Sequence, residues 1–99
     1  MAGQGLRVVA HIRAKAGRED ELKRVLLGLT GPTRGEAGCL QYQLYQNNQD
    51  SQDLVFVEEW ESDAAVDAHL QTIHIRNALA LLPDLTEAPP DIRRYSLIG

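Results

Sequence analysis

The chain has 99 residues, one cysteine, 24% charged residues and a formal net charge of −4. That length allows one domain with a modest core, and the mixed composition excludes disorder over the whole chain. The acidic balance argues against a nucleic-acid surface, Cys39 alone excludes an internal disulfide and all but excludes a cysteine-based zinc site, and no apolar run approaches the roughly 20 residues of a membrane span.

The first residues, Met1 to Gly5, lack the basic and apolar segments of a signal peptide. A cytoplasmic protein is expected, one domain over residues 1–99 with flexible ends at 1–5 and 99. Leu6 to Ala14 then alternates, with Val8, Ala10 and Ile12 on one side and Arg7, Val9, His11 and Arg13 on the other, which predicts a first strand. After the turn at Lys15–Gly17, Leu22, Val25, Leu26 and Leu29 fall at i, i+3, i+4 and i+7, which predicts a helix over 18–29. Glu19, Asp20 and Glu21 suit its positive N-terminal end, and Gly31-Pro32 is expected to end or kink it.

Cys39 to Asn47 alternates again and places Leu40, Tyr42 and Leu44 on one side of a second strand. A polar loop over 47–53 leads to a third strand, Leu54 to Trp60, rich in β-branched and aromatic residues. Ser62 is a good N-cap for a helix carrying Val66, His69, Leu70 and Ile73 on one face. A second register, Ile75, Ala78, Leu79 and Leu82, predicts a break near Thr72–His74. Pro83, Pro89 and Pro90 then read as loop, and Ile92 to Ile98 as a fourth strand.

The order β-α-β-β-α-β is that of an α+β, ferredoxin-like domain: an antiparallel sheet with its helices on one face. Two helices cover one sheet face, yet the other also carries Val9, Val55, Val57, Tyr95 and Leu97. An uncovered apolar face predicts a partner, here a second copy of the chain with the sheets packed face to face.

The segments Val9–Glu19, Gly38–Tyr42, Val57–Ser62 and Ala68–His74, in this order and spacing, resemble the antibiotic-biosynthesis monooxygenase family, including its quinol monooxygenase-like members. The resemblance runs from about residue 6 to residue 98. It implies a dimeric α/β-barrel and a pocket between sheet and helices in each subunit. Some relatives oxidise quinols or aromatic polyketides with O₂ and no cofactor, others degrade haem, and another isomerises a phosphorylated sugar. Haem is not expected here, because the asparagine and histidine those relatives use correspond to positions near Ala10 and near Leu79.

His69 is the leading candidate for chemistry: a titratable ring on the apolar face of a helix, with an ordinary pKa of ~6.5 suited to proton transfer. It reads equally as a satisfied core residue, and the resemblance, which places this position in the pocket, weighs toward a catalytic base. Trp60, Phe56 and Tyr42 would wall the pocket for a flat substrate, although each also reads as core. His11 lies mid-strand on a face that parity leaves open to the pocket or to the dimer. His74 reads as a helix-end capping residue or a substrate contact, and Asn77 as a pocket contact or a solvated residue.

Glu58 and Glu59 face opposite ways, and one of them is expected to be partly buried. His69 and His74 would sit roughly 140° apart on a continuous helix, too far round to share an ion. Gly3-Gln4-Gly5 precedes a strand, so it is no dinucleotide loop, and a P-loop, a Cys-x-x-Cys and a serine elbow are all missing. No cofactor and no metal are therefore expected. The expected function is a cofactor-independent monooxygenase acting on a small aromatic or quinol-like substrate. An isomerase with the same pocket and a non-catalytic ligand-binding dimer are the alternatives.

Overall fold

The computed structural model describes residues 5–99, so most of the N-terminal segment expected to be flexible lies outside the described residues. The strands are β1 (Leu6–Arg13), β2 (Cys39–Asn47), β3 (Asp50–Trp60) and β4 (Asp91–Tyr95), and the helices α1 (Glu19–Leu27), α2 (Thr30–Arg34), α3 (Asp63–Leu70) and α4 (Ile73–Leu85). All strand pairs are antiparallel, in the order β2-β3-β1-β4. This is the ferredoxin-like arrangement the element order predicted. Among the described residues no helix is long and apolar enough to cross a membrane.

The core is the helix-facing side of the sheet. Val8, Ala10 and Ile12 of β1, Leu54, Phe56 and Trp60 of β3 and Tyr42 of β2 are buried there. Leu22, Leu26 and Leu29 close over them from the first helical region, and Val66, Ile75, Ala78, Leu82 and Leu85 from the second. Period 2 in the strands and period 3.6 in the helices thus converge on one apolar layer.

Several boundaries differ from the expected ones, each for a local reason. Gly31-Pro32 does not end the helical region. Proline tolerates a first turn, where its missing N–H has no partner to lose, so α2 starts at Thr30 and contains both residues. The polar loop 47–53 is a tight turn at Asn48-Gln49, closed by Asn47 Oδ1 accepting from the Gln49 N–H, and β3 begins at Asp50. A register shift between Cys39 and Gln41 bulges Leu40 out of the ladder, so it is half-exposed and not in the core with Tyr42.

The predicted break at Thr72 is present. Ser62 caps α3 through the Ala65 N–H, and Thr72 caps α4 through the Ile75 N–H. The break turns Ile73 to solvent and off the core face. Pro83 lies inside the last turn of α4 and not in a loop; the Leu79 carbonyl that loses a donor sits on a partly exposed turn. β4 is shorter than expected because its ladder with β1 has reached Tyr95↔Arg7, one residue from the start of β1. Leu97 and Ile98 therefore lie beyond the strand, exposed.

The second sheet face is mixed in character. Val9, Val55 and Val57 form a half-buried centre, with Val9 paired to Val57, and Tyr45 and Tyr95 stand exposed nearby. Around them lie Arg7 opposite Glu59 and Arg13 opposite Asp53. The face expected to carry apolar residues thus has an apolar centre with a charged border.

Candidate active site

Glu36 lies in the turn between α2 and β2, two residues before Gly38. Gly38 has φ +85°, and a Cβ there would come within 2.6 Å of the Ala65 Cβ on α3. Glycine therefore lets this turn press against α3, and it brings the Glu36 carboxylate to the junction of α3 and α4. His69 Nδ1, from the last turn of α3, donates to Glu36 at 2.9 and 3.1 Å to its two oxygens. His74 Nε2, from the first turn of α4, lies 2.6 Å from Oε2 of the same carboxylate.

The break at Thr72 makes this possible. On a continuous helix the two imidazoles would diverge; with α4 restarted they approach one acceptor, and the premise that they cannot share a partner fails. Thr72 adds a hydroxyl 3.3 Å from His74 Nε2 while donating to the His69 carbonyl at 2.8 Å. The three donor atoms of Glu36, His69 and His74 lie within 4.8 Å of one another, close enough to be considered as ligands of one ion.

His69 is 4% exposed and packs into an aromatic shell. Its ring centroid is 4.6 Å from that of Trp60 and 5.6 Å from that of Tyr42, which stacks on Phe56 at 4.6 Å. Burial pushes the His69 pKa down, against the opposing pull of Glu36. Burial likewise raises the Tyr42 phenol, helped by Glu58, so the hydroxyl stays protonated.

Glu58 is a buried carboxyl to which the sequence reading gave no role. It occupies the core parity of β3 between Phe56 and Trp60 and is 4% exposed. Trp60 Nε1 donates to its Oε1 at 2.8 Å. Desolvation nonetheless lifts its pKa to about 7, with Glu36 contributing in the same direction. A sequence signal existed: a glutamate on the apolar side of a strand whose neighbours at i−2 and i+2 are Phe and Trp. Glu36 had no such signal, since its partners are 33 and 38 residues away.

Glu58 also lines a narrow apolar cleft of about 50 Å³ between sheet and helices, together with Tyr42, Phe56, Leu70, Ile75 and Leu82. Leu79, Pro90 and Ile92 stand at its partly exposed edge. Of the residues singled out from the sequence, Tyr42 and Phe56 line this cleft. Trp60, His69 and His74 sit behind it, joined through the ring contacts and Glu36. His11 does not join them: it is on the opposite sheet face, 3.5 Å from Asp53 and largely exposed. Asn77 is exposed on α4. Ala10, near one of the positions the resemblance assigns to haem binding in relatives, is buried in the core, and Leu79, near the other, is partly exposed.

The arrangement can hold a small apolar molecule against one carboxyl poised near neutrality, with an imidazole–carboxylate cluster behind the aromatic wall. The comparisons agree with a known family. The sequence profile described as antibiotic biosynthesis monooxygenase matches residues 5–81. YcnE of Bacillus subtilis is 30% identical over 88 residues, covering 89% of this chain and 93% of that protein. An uncharacterised Synechocystis protein, sll1783, is 29% identical over 90 residues, and the match spans 61% of its length. The crystal structure of PA3566 from Pseudomonas aeruginosa superposes with a TM-score of 0.92 at 32% identity, covering 100% of this chain and 99% of that one. With its profile, its relatives and its fold in agreement, the chain belongs to the antibiotic biosynthesis monooxygenase family.

Proposed function

We propose that this protein oxidises an electron-rich phenolic or quinol-type small molecule with O₂, and that Glu58 takes the substrate's proton inside the cleft. The observation that carries the reading is the position of Glu58: the one carboxyl lining an apolar cleft, desolvated, with a pKa of about 7. An environment of this kind turns a carboxylate into a base matched to a neutral solution. Trp60 holds one carboxyl oxygen and leaves the other for a substrate hydroxyl. The substrate anion then supplies all the electrons: one oxygen atom enters the ring, the other leaves as water, and a quinol becomes a hydroxyquinone.

Tyr42 and Phe56 are the proposed ring wall. His69, expected from the sequence to be the base, does not line the cleft; its proposed role is to hold Trp60 and Tyr42 from behind, itself held by Glu36. An aromatic ring needs more room than about 50 Å³, so the edge formed by Leu79, Pro90 and Ile92 must part to admit one. In the proposed assembly two copies pack through the Val9–Val55–Val57 face.

The test is oxygen uptake with a panel of quinols in chelated buffer. Glu58→Gln is expected to lower kcat/KM by about 10²–10⁴-fold. In the parent protein kcat/KM should rise with pH through about 7, as the base ionises. Full turnover by Glu58→Gln would remove Glu58 from the mechanism, and unchanged turnover without O₂ would make the protein an isomerase. The narrowness of the cleft favours a second reading, a non-catalytic ligand-binding dimer, which predicts quinol binding with no turnover under any atmosphere.

A further inference from the structure

We infer that Glu36, His69 and His74 form a binding site for one divalent transition-metal ion, with zinc as the best-matched occupant. The inference stands apart from the oxidation reading above, since the cleft base is Glu58 and the metal donors lie behind the aromatic wall.

Convergence is the first argument. Three donors from three elements, the α2–β2 turn, the end of α3 and the start of α4, bring their ligating atoms within 4.8 Å of one another. Two local devices bring them there: Gly38, which lets the turn close on α3, and Thr72, which restarts the helix so that His74 faces His69. Two imidazoles and a carboxylate make a donor set that zinc and its first-row neighbours accept readily.

Charge is the second argument. Among the described residues the two imidazoles are the only ion-pair partners of Glu36, and no lysine or arginine pairs with it. Glu58 is close enough for the Glu36 charge to raise its pKa further. The neighbourhood thus holds two carboxyl groups, and neither bonds a permanent cation. A divalent ion bound by Glu36 and the two imidazoles supplies a permanent positive charge there.

Geometry is the third. Bonds of about 2.0–2.1 Å in a tetrahedral site put neighbouring ligand atoms roughly 3.3 Å apart. The donor separations to Glu36 Oε2 are 2.9 Å from His69 and 2.6 Å from His74. The side chains therefore need to part by several tenths of an ångström. His69 is fixed by Trp60 and Tyr42, whereas His74 and Glu36 keep some solvent exposure, 21% and 14%, through which an ion can reach them and water can complete its shell.

The experiment uses Co²⁺ as a coloured, quenching probe. Trp60 is the only tryptophan in the chain, and its ring sits 4.6 Å from that of His69. Adding Co²⁺ to the purified protein is expected to produce visible d–d absorption and to quench Trp60 fluorescence with one-to-one stoichiometry. Zn²⁺ should reverse both signals. Glu36→Gln, which keeps the side-chain shape, and His74→Ala, at a partly exposed position, are expected to weaken binding roughly 10- to 100-fold or more. His11→Ala, on the far sheet face, should change nothing.

His69 is left intact because its ring is part of the core. Circular dichroism of each variant confirms that it is folded before titration. The proposal fails if millimolar Co²⁺ gives neither absorption nor quenching. It also fails if the signals survive in the folded Glu36→Gln and His74→Ala variants, or if they disappear only with His11→Ala. Absence of quinol oxidation by the parent protein, with Co²⁺ still bound, would overturn the oxidation reading and leave the metal site standing.

Discussion

The two faces of the one sheet are built from the same strands and have opposite fates. On the helix side Val8, Ala10, Ile12, Leu54, Phe56 and Trp60 are all at most 5% exposed. One residue along the chain in each case, Val9, Val55 and Val57 are only half-buried, and the residues around them are Arg7, His11, Arg13, Asp53 and Glu59. Backbone alternation sets which residues share a face; the helices decide which face becomes a core. The inner side accepts one carboxyl, Glu58, and desolvates it. The outer side carries several charges on its border and leaves them in water. A charged border around an apolar centre is the distribution seen at protein interfaces, where charge is depleted from the centre and kept at the rim.

Neighbouring substitutions on β3 break this comparison most sharply. Phe56 is 2% exposed and stacks on Tyr42, so Phe56→Ala removes buried ring contacts and leaves a cavity. The expected loss of folding stability is about 3–5 kcal/mol. Val57→Ala, one position further on and facing the other way, should cost a small fraction of that in the isolated subunit. Urea denaturation of both variants at low protein concentration measures the contrast. Equal losses would mean that the outer face is as closely packed as the inner one.

The next effect is that of the buried carboxyl, and its sign follows from linkage. Glu58 rises from an ordinary value of 4.5 to about 7 in the folded protein. Below the ordinary value it is neutral whether the chain is folded or not, and it costs nothing. Between the two values the unfolded chain releases the proton while the folded one keeps it, so stability falls as pH rises and levels off above the folded value. A shift of this size corresponds to roughly 3 kcal/mol. Glu58→Gln removes the slope, so the variant should match the parent near about pH 4 and exceed it by up to about 3 kcal/mol near about pH 8. Parallel stability curves for the two proteins would show that Glu58 is not desolvated.

The elements differ in how much of this was legible in the sequence. The inner face could be read directly, because alternation in β1 and β3 and the Leu22–Leu26–Leu29 stripe are strong periodic signals. The cap at Ser62 and the break at Thr72 were legible for the same reason, being local. Leu40 was misplaced because a bulge changes parity without changing composition, and Pro83 because a proline near a helix end reads the same as one in a loop. His69 was found, but its partner was not: the Glu36 contact depends on how closely a glycine turn approaches a helix 33 residues later, and no local pattern encodes that. The face of His11 became legible only once the register with β3 placed it opposite Val55 and beside Asp53.

The smallest effect on folding, and the most direct test of the outer face, is Val57→Asp. Val57 pairs with Val9 on one side and Gln43 on the other, at the centre of the apolar patch. In a lone subunit its side chain would meet water, and an aspartate there would be hydrated at little cost beyond its poor strand propensity. In a face-to-face dimer the same carboxylate would be buried close to its own symmetry mate, with no cation at the centre to pair with. Two desolvated like charges at a self-complementary contact oppose association strongly. Sedimentation velocity should therefore show the parent chain as a dimer and Val57→Asp as a folded monomer, with near-native circular dichroism. A parent that sediments as a monomer, or a variant that stays dimeric, would assign the half-buried valines to the solvent side of a sheet that needs no partner.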